Sequence, residues 1–117
     1  MSGKFEEFTA FRKKMNERIL EHDNRVIKRF FSLDNLTYQQ EGVLPVKTKE
    51  LMGLVSSLVL RCDDCISYHI SQSKLAGATR DEIMETMSIG LVVGGSIVIP
   101  HMRRAVAFLD EIEADGG

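Results

Sequence analysis

Apolar residues recur at every third or fourth position along almost the whole chain, the spacing of one face of an α-helix. Phe5, Phe8, Phe11, Met15 and Ile19 form the first stripe, and Val26 and Phe30 form a second after the polar His22-Asp23-Asn24. Asp34 or Asn35 is placed to cap a short helix that stops near Glu41-Gly42, where Gly suits a helix end. Pro45 suits the start of the next helix, because it lacks only an N–H that would be unpaired there. Leu51, Leu54, Val55, Leu58 and Cys62 then follow its apolar face. Asp63 or Asp64 can cap a further helix that holds Cys65, Ile66, His69 and Ile70 and stops near Gly77. Thr79-Arg80-Asp81-Glu82 reads as a capping box, with Ile83, Met87 and Leu91 on one face behind it. Gly94-Gly95-Ser96 interrupts the pattern. Val98, Met102, Ala105, Leu109 and Ile112 mark the last helix, with Pro100 in its first turn and residues 114–117 expected to fray. No segment alternates as a strand would. The pattern predicts an all-α, single-domain helical bundle over residues 1–117.

Composition narrows the setting. At 117 residues, 44% hydrophobic and 27% charged, the chain can bury a core without disulfide or metal scaffolding. Its formal charge of −2, from 15 basic and 17 acidic residues, gives no electrostatic argument for nucleic acid. The longest apolar run, Ile89 to Ile99, is interrupted by glycines and a serine and is far shorter than the ~20 residues of a membrane span. The first residues lack a signal-peptide core, so a cytoplasmic protein with no membrane partner is expected. Within the apolar run, the faces around Leu91 to Ile99 are too apolar for the surface of a small monomer, which predicts a homo-oligomer.

Both cysteines lie in one cluster, Cys62-Asp63-Asp64-Cys65. In a reducing compartment C-x-x-C points to redox chemistry or metal binding more than to a structural staple. If one helix runs through Cys62, Cys65 and His69, the three share a stripe. If Asp63 is an N-cap, Cys65 falls in a first turn whose free N–H groups favour thiolate. In both cases His69 is one turn from Cys65 and can exchange protons with it. Cysteines three apart near a helix start can also close a disulfide with modest adjustment. These parts suit a reducible dithiol, one thiolate attacking a peroxide or disulfide and its neighbour resolving the intermediate. Asp63 and Asp64 oppose this by raising the thiol pKa, against the helix end and Arg61.

The spacing Glu50, Cys62, Cys65, His69 resembles the E-x11-C-x2-C-x3-H signature of alkylhydroperoxidase D-like proteins in the carboxymuconolactone decarboxylase family. The flanks agree: Gly42-Val43-Leu44-Pro45-Val46-Lys47-Thr48-Lys49-Glu50-Leu51 precedes the site, and Leu75-Ala76-Gly77-Ala78-Thr79-Arg80-Asp81-Glu82-Ile83 and Gly94-Gly95 follow it. The resemblance covers about residues 26–110. It implies an all-helical oligomer and a thiol-dependent peroxidase or disulfide reductase, an antioxidant enzyme that needs no cofactor. It makes Cys65 the peroxide-attacking thiol, Cys62 its resolving partner, and Glu50 with His69 the proton relay. It also implies an external dithiol reductant, which can be a lipoyl-bearing protein. Where the family often has an aromatic residue or His between the cysteines, this chain has Asp63 and Asp64. Twelve residues of straight helix would put ~18 Å between Glu50 and Cys62, so a returning helix, a bend or a second subunit must bring them together.

Other readings compete. A decarboxylase-like lyase is one, although such relatives generally lack the cysteine pair. A redox-sensing or zinc-binding helical module is another, with Cys62, Cys65 and His69 as ligands and His22, His101 or a carboxylate as the fourth. His101 reads as a surface or interface residue, and Tyr68 as packing. The six methionines read as adaptable core filling, and Arg12-Lys13-Lys14 as a solvated helix face.

Overall fold

The computed structural model describes residues 3–115, without the Lys4 side chain, so part of the expected frayed tail lies outside the described residues. The described chain forms α1 (Lys4–Leu20), α2 (Arg25–Gln39), α3 (Val46–Leu60), α4 (Asp63–Leu75), α5 (Arg80–Gly94) and α6 (Ile99–Ala114). A 3-10 turn at Ser96–Val98 leads into α6. No strand occurs among the described residues, as the helical spacing predicts.

Helix α3 is the centre of the bundle, packed against α4 on one side and α5 on the other, while α6 closes over α4. Leu54 and Leu58 of α3, Ile66 and Ile70 of α4, and Ile83 and Met87 of α5 are fully or almost fully buried in one cluster. Several predicted helix boundaries are present. Pro45 caps α3. Thr79 and Glu82 form the reciprocal capping box, with Glu82 N–H donating to Thr79 Oγ1 and Thr79 N–H to Glu82 Oε1. Gly95 ends α5 at φ 83°, a left-handed conformation that glycine adopts without a Cβ penalty.

Three expectations need correction. The second stripe and the short helix after it are one helix, α2, capped by Asn24 Oδ1, which accepts from Ile27 N–H at 3.0 Å. With that cap satisfied and no Gly or Pro before Gln39, nothing interrupts the helix, and Asp34 and Asn35 lie inside it. The stripes of α1 and α2 are only partly used. Phe5 and Phe8 pack edge-on against Phe108 of α6, but Phe11 is 66% exposed, and Val26 is 76% exposed because α2 touches the bundle mainly through α3. Finally, the cap of α4 is Cys62 itself, not Asp63 or Asp64, which occupy the first turn.

The end of α5 and the turn after it leave Val92, Val93 and Ile97 open to solvent. No helix among the described residues is long and apolar enough to cross a membrane.

Candidate functional site

The site begins with a tight reversal between α3 and α4. Arg61 takes the left-handed conformation at φ 60°, ψ 44°, which turns the chain back after Leu60. Cys62 N–H then donates to Ser57 O at 3.1 Å, the bond that closes a Schellman-type helix end. Cys62 belongs to both elements, because its Sγ accepts the free Cys65 N–H at 3.3 Å as the N-cap of α4. Cys62 and Cys65 are joined by a disulfide, with Cα atoms 5.3 Å apart, well inside the range such bridges span. The oxidised pair therefore sits on the positive end of α4, where a thiolate released by reduction meets helix N–H groups.

The reversal also solves the separation between Glu50 and the cysteines. Because α4 returns along α3, His69 Nδ1 lies 2.8 Å from Glu50 Oε1, within one chain. Glu50 is fully buried, and its second oxygen accepts from Gln39 Nε2 at 3.3 Å. A carboxylate in that position requires Nδ1 to carry a proton, which leaves Nε2 of a neutral ring as the proton acceptor. Gly53 makes room for the pair. A Cβ at that position would stand 2.6 Å from His69 Cε1, closer than real contacts allow.

A cavity of about 390 Å³ opens on this arrangement, lined by Arg12 and Asn16 of α1, by Phe30, Phe31, Asp34 and Asn35 of α2, and by Cys65, Tyr68 and His69 of α4. Cys65 and His69 both face it, whereas Cys62 does not line it. The imidazole is flanked by aromatic rings, Tyr38 at 4.9 Å and Tyr68 at 5.4 Å between centroids. Burial, reinforced by Asp34 and Glu50, pushes the Tyr38 phenol above its usual pKa. Burial followed by Glu50 and Asp34 does the same for Tyr68, against the opposing pull of Arg12. Both phenols therefore keep their protons at neutral pH and can donate hydrogen bonds but not act as bases.

The acidic pair between the cysteines is not bare. Asp63 accepts from Arg104 Nε at 2.8 Å and lies 2.7 Å from His101 Nδ1. Burial alone would raise the Asp63 pKa, but the hydrogen bonds from His101 and Arg104 outweigh it and hold the carboxyl below its usual range. Asp64 accepts from Arg12 Nη1 at 2.7 Å, and the same guanidinium lies 4.1 Å over the Tyr68 ring. Arg12 is thus part of the cavity wall, not simply a solvated helix face. His101, expected at the surface or an interface, is tied to the first turn of α4. Among the described residues no three His, Cys, Asp or Glu side chains converge as a metal-binding group.

Arg12, Tyr38, Gln39 and Gly53 belong to the site without any sequence signal that marks them. Arg12 sits in an ordinary basic run, Tyr38 and Gln39 end a helix longer than its sequence pattern predicts, and Gly53 looks like any mid-helix glycine.

Comparison with known proteins gives one consistent answer. The sequence profile of the carboxymuconolactone decarboxylase family matches residues 25–110. A Thermotoga maritima protein of that family, with a suggested involvement in antioxidative response, has a crystal structure with a TM-score of 0.87 and 54% identity, covering 92% of this chain and 91% of its own. A family member from Legionella pneumophila, solved in its apo form, gives a TM-score of 0.82 at 25% identity, covering 94% of this chain and 97% of its own. An uncharacterized protein of Cupriavidus necator is 33% identical over 75 residues, which span 64% of this chain and 66% of that protein. With its helical bundle, its C-x-x-C disulfide and a profile match over most of its length, the chain belongs to the carboxymuconolactone decarboxylase family.

Proposed function

We propose that the protein is a thiol-dependent peroxidase of the alkylhydroperoxidase type, working through Cys62 and Cys65. The observation that carries this reading is the division of the pair: Cys65 shares the cavity with His69, while Cys62 lies outside it and within bonding distance of Cys65. In the first step His69 Nε2 takes the Cys65 proton, and Glu50, which accepts from Nδ1, stabilises the charged imidazole. The thiolate attacks the terminal oxygen of a hydroperoxide, the O–O bond breaks, and the alcohol leaves with the proton returned by His69. Cys65 is now a sulfenic acid. Cys62 attacks its sulfur, the S–S bond forms, and water leaves. An external dithiol, for which a lipoyl-bearing protein is suited, then reduces the disulfide by exchange and is itself oxidised. If the reduced pair attacks a small disulfide instead of a peroxide, exchange releases two small thiols and closes the Cys62–Cys65 disulfide, and the same dithiol regenerates it, which would make the protein a disulfide reductase.

The exposed apolar residues Val92, Val93 and Ile97 support a homo-oligomer in which this face is covered. The absence of a spanning helix among the described residues is compatible with work in the cytoplasm. The direct test is peroxide consumption by the reduced protein with a regenerating dithiol. Steady turnover that disappears in Cys65→Ser supports the reading, and no consumption by the reduced wild type refutes it.

A further inference from the structure

Two carboxylates stand between the cysteines, where each would oppose formation of a thiolate at Cys65. Each is met by a cation from a different helix. Arg104 and His101 of α6 hold Asp63, and Arg12 of α1 holds Asp64. The other charged or titratable groups around Cys65 are Asp34 on α2, Tyr68 and His69 on α4, Tyr38 on α2 and Glu50 on α3 against His69, and Arg61 in the turn. Arg12 is the one of these that lies outside the family-matched residues 25–110. It is fixed twice, by the 2.7 Å pair with Asp64 and by its seat over Tyr68, and both partners flank Cys65 on the first turns of α4.

We propose that Arg12 is a positioning residue of the redox site, which cancels the field of Asp64 at Cys65 and so keeps that thiol able to ionise. The pair is half open to solvent, with side-chain exposures of 28% for Arg12 and 64% for Asp64, so it adds little to stability. Its effect is on the neighbouring thiol, one residue from Asp64. Helix α1, which lies wholly before the matched segment, is thereby part of the site and not merely packing. The inference deepens the proposed thiol chemistry, but its readout is ionisation alone, so it can fail while peroxide turnover stands, and the reverse.

The test uses the full chain with Cys62→Ser, which leaves one thiol and a side chain still able to cap α4. The Cys65 pKa is read from thiolate ultraviolet absorbance against pH. Arg12→Leu is expected to raise the midpoint by about one unit and Asp64→Asn to lower it. The double variant Arg12→Leu/Asp64→Asn should return close to the parent, and Arg12→Lys should stay near it. The Arg12→Leu shift should also shrink as salt is added, since the groups are partly exposed. An unchanged midpoint in Arg12→Leu overturns the proposal. So does a double variant that stays with Arg12→Leu, because that pattern reports a displaced α1 and not an uncancelled charge.

Discussion

Glu50 and His69 are nineteen residues apart in the chain, yet Glu50 Oε1 and His69 Nδ1 are 2.8 Å apart in the folded protein. The contact exists because α3 and α4 are joined by only Arg61 and Cys62, so the second helix returns directly along the first. One reversal therefore delivers both the Glu50–His69 contact and the cysteine that caps α4.

Gly53 should be intolerant of even one added methyl group. Its Cβ would fall within 2.8 Å of three atoms of the His69 ring, and the ring is tied at Nδ1 to Glu50 of the same helix. Gly53→Ala is expected to cost roughly 1–3 kcal/mol in denaturant unfolding, with a larger proportional loss of peroxide turnover. Full turnover in a stably folded Gly53→Ala would mean that the His69 position is not critical.

The relay itself is exposed to substitution. His69→Ala should slow the first turnover by roughly 10²–10⁴ if His69 accepts the thiol proton directly. Glu50→Gln should slow it by a similar factor, because the buried imidazolium loses its carboxylate. Stopped-flow peroxide loss under single-turnover conditions reads this step without interference from the reductant.

Acid should loosen the first turn of α4. Burial acts to raise the Asp63 pKa, but its bonds to His101 and Arg104 win and place it below the ordinary 3.8. A carboxyl with a depressed folded pKa contributes stability that is complete above the ordinary value and is lost as pH falls through the folded one. Unfolding midpoints measured from about pH 5 to about pH 2 should therefore fall less steeply in Asp63→Asn than in wild type. The slope should shrink but remain, since Glu82, bonded by the Thr79 N–H and Lys47, and Glu113, bonded by Arg80 and Lys74, are held low as well.

The apolar face at the end of α5 predicts association. Val92 is 83% exposed, beside Val93 and Ile97. Sedimentation should show a mass above that of one chain, and Val93→Asp should shift it towards the monomer while the helical circular dichroism spectrum stays the same. A wild type that runs as a monomer at all concentrations would contradict the assembly.

How much of this was legible in the sequence depended on whether the signal was local. The capping box at Thr79 and Glu82, the stop at Gly95 and the start at Pro45 are each set by the chemistry of a few adjacent residues, and each was readable. The candidate Cys62-Cys65-His69 cluster was readable for the same reason. The reversal was harder, because a left-handed Arg61 carries no glycine to announce it, and a thiol is an uncommon cap. The extent of α2 is hidden because Asp34 and Asn35 favour caps in general, while the actual cap is Asn24. Arg12 and Gly53 matter through residues tens of positions away or across a helix interface. Nothing in their own surroundings marks them.

The most direct measurement of the central claim is the location of the first oxidation. Reduced Cys62→Ser and Cys65→Ser are each given one equivalent of hydroperoxide in the presence of dimedone, and the adduct is located by peptide mass spectrometry. Cys65 faces the cavity with His69 and Cys62 does not, so the account predicts an adduct on Cys65 in Cys62→Ser, with one peroxide consumed, and little reaction in Cys65→Ser. An adduct on Cys62 in Cys65→Ser, formed as fast as or faster than the one on Cys65, would contradict it.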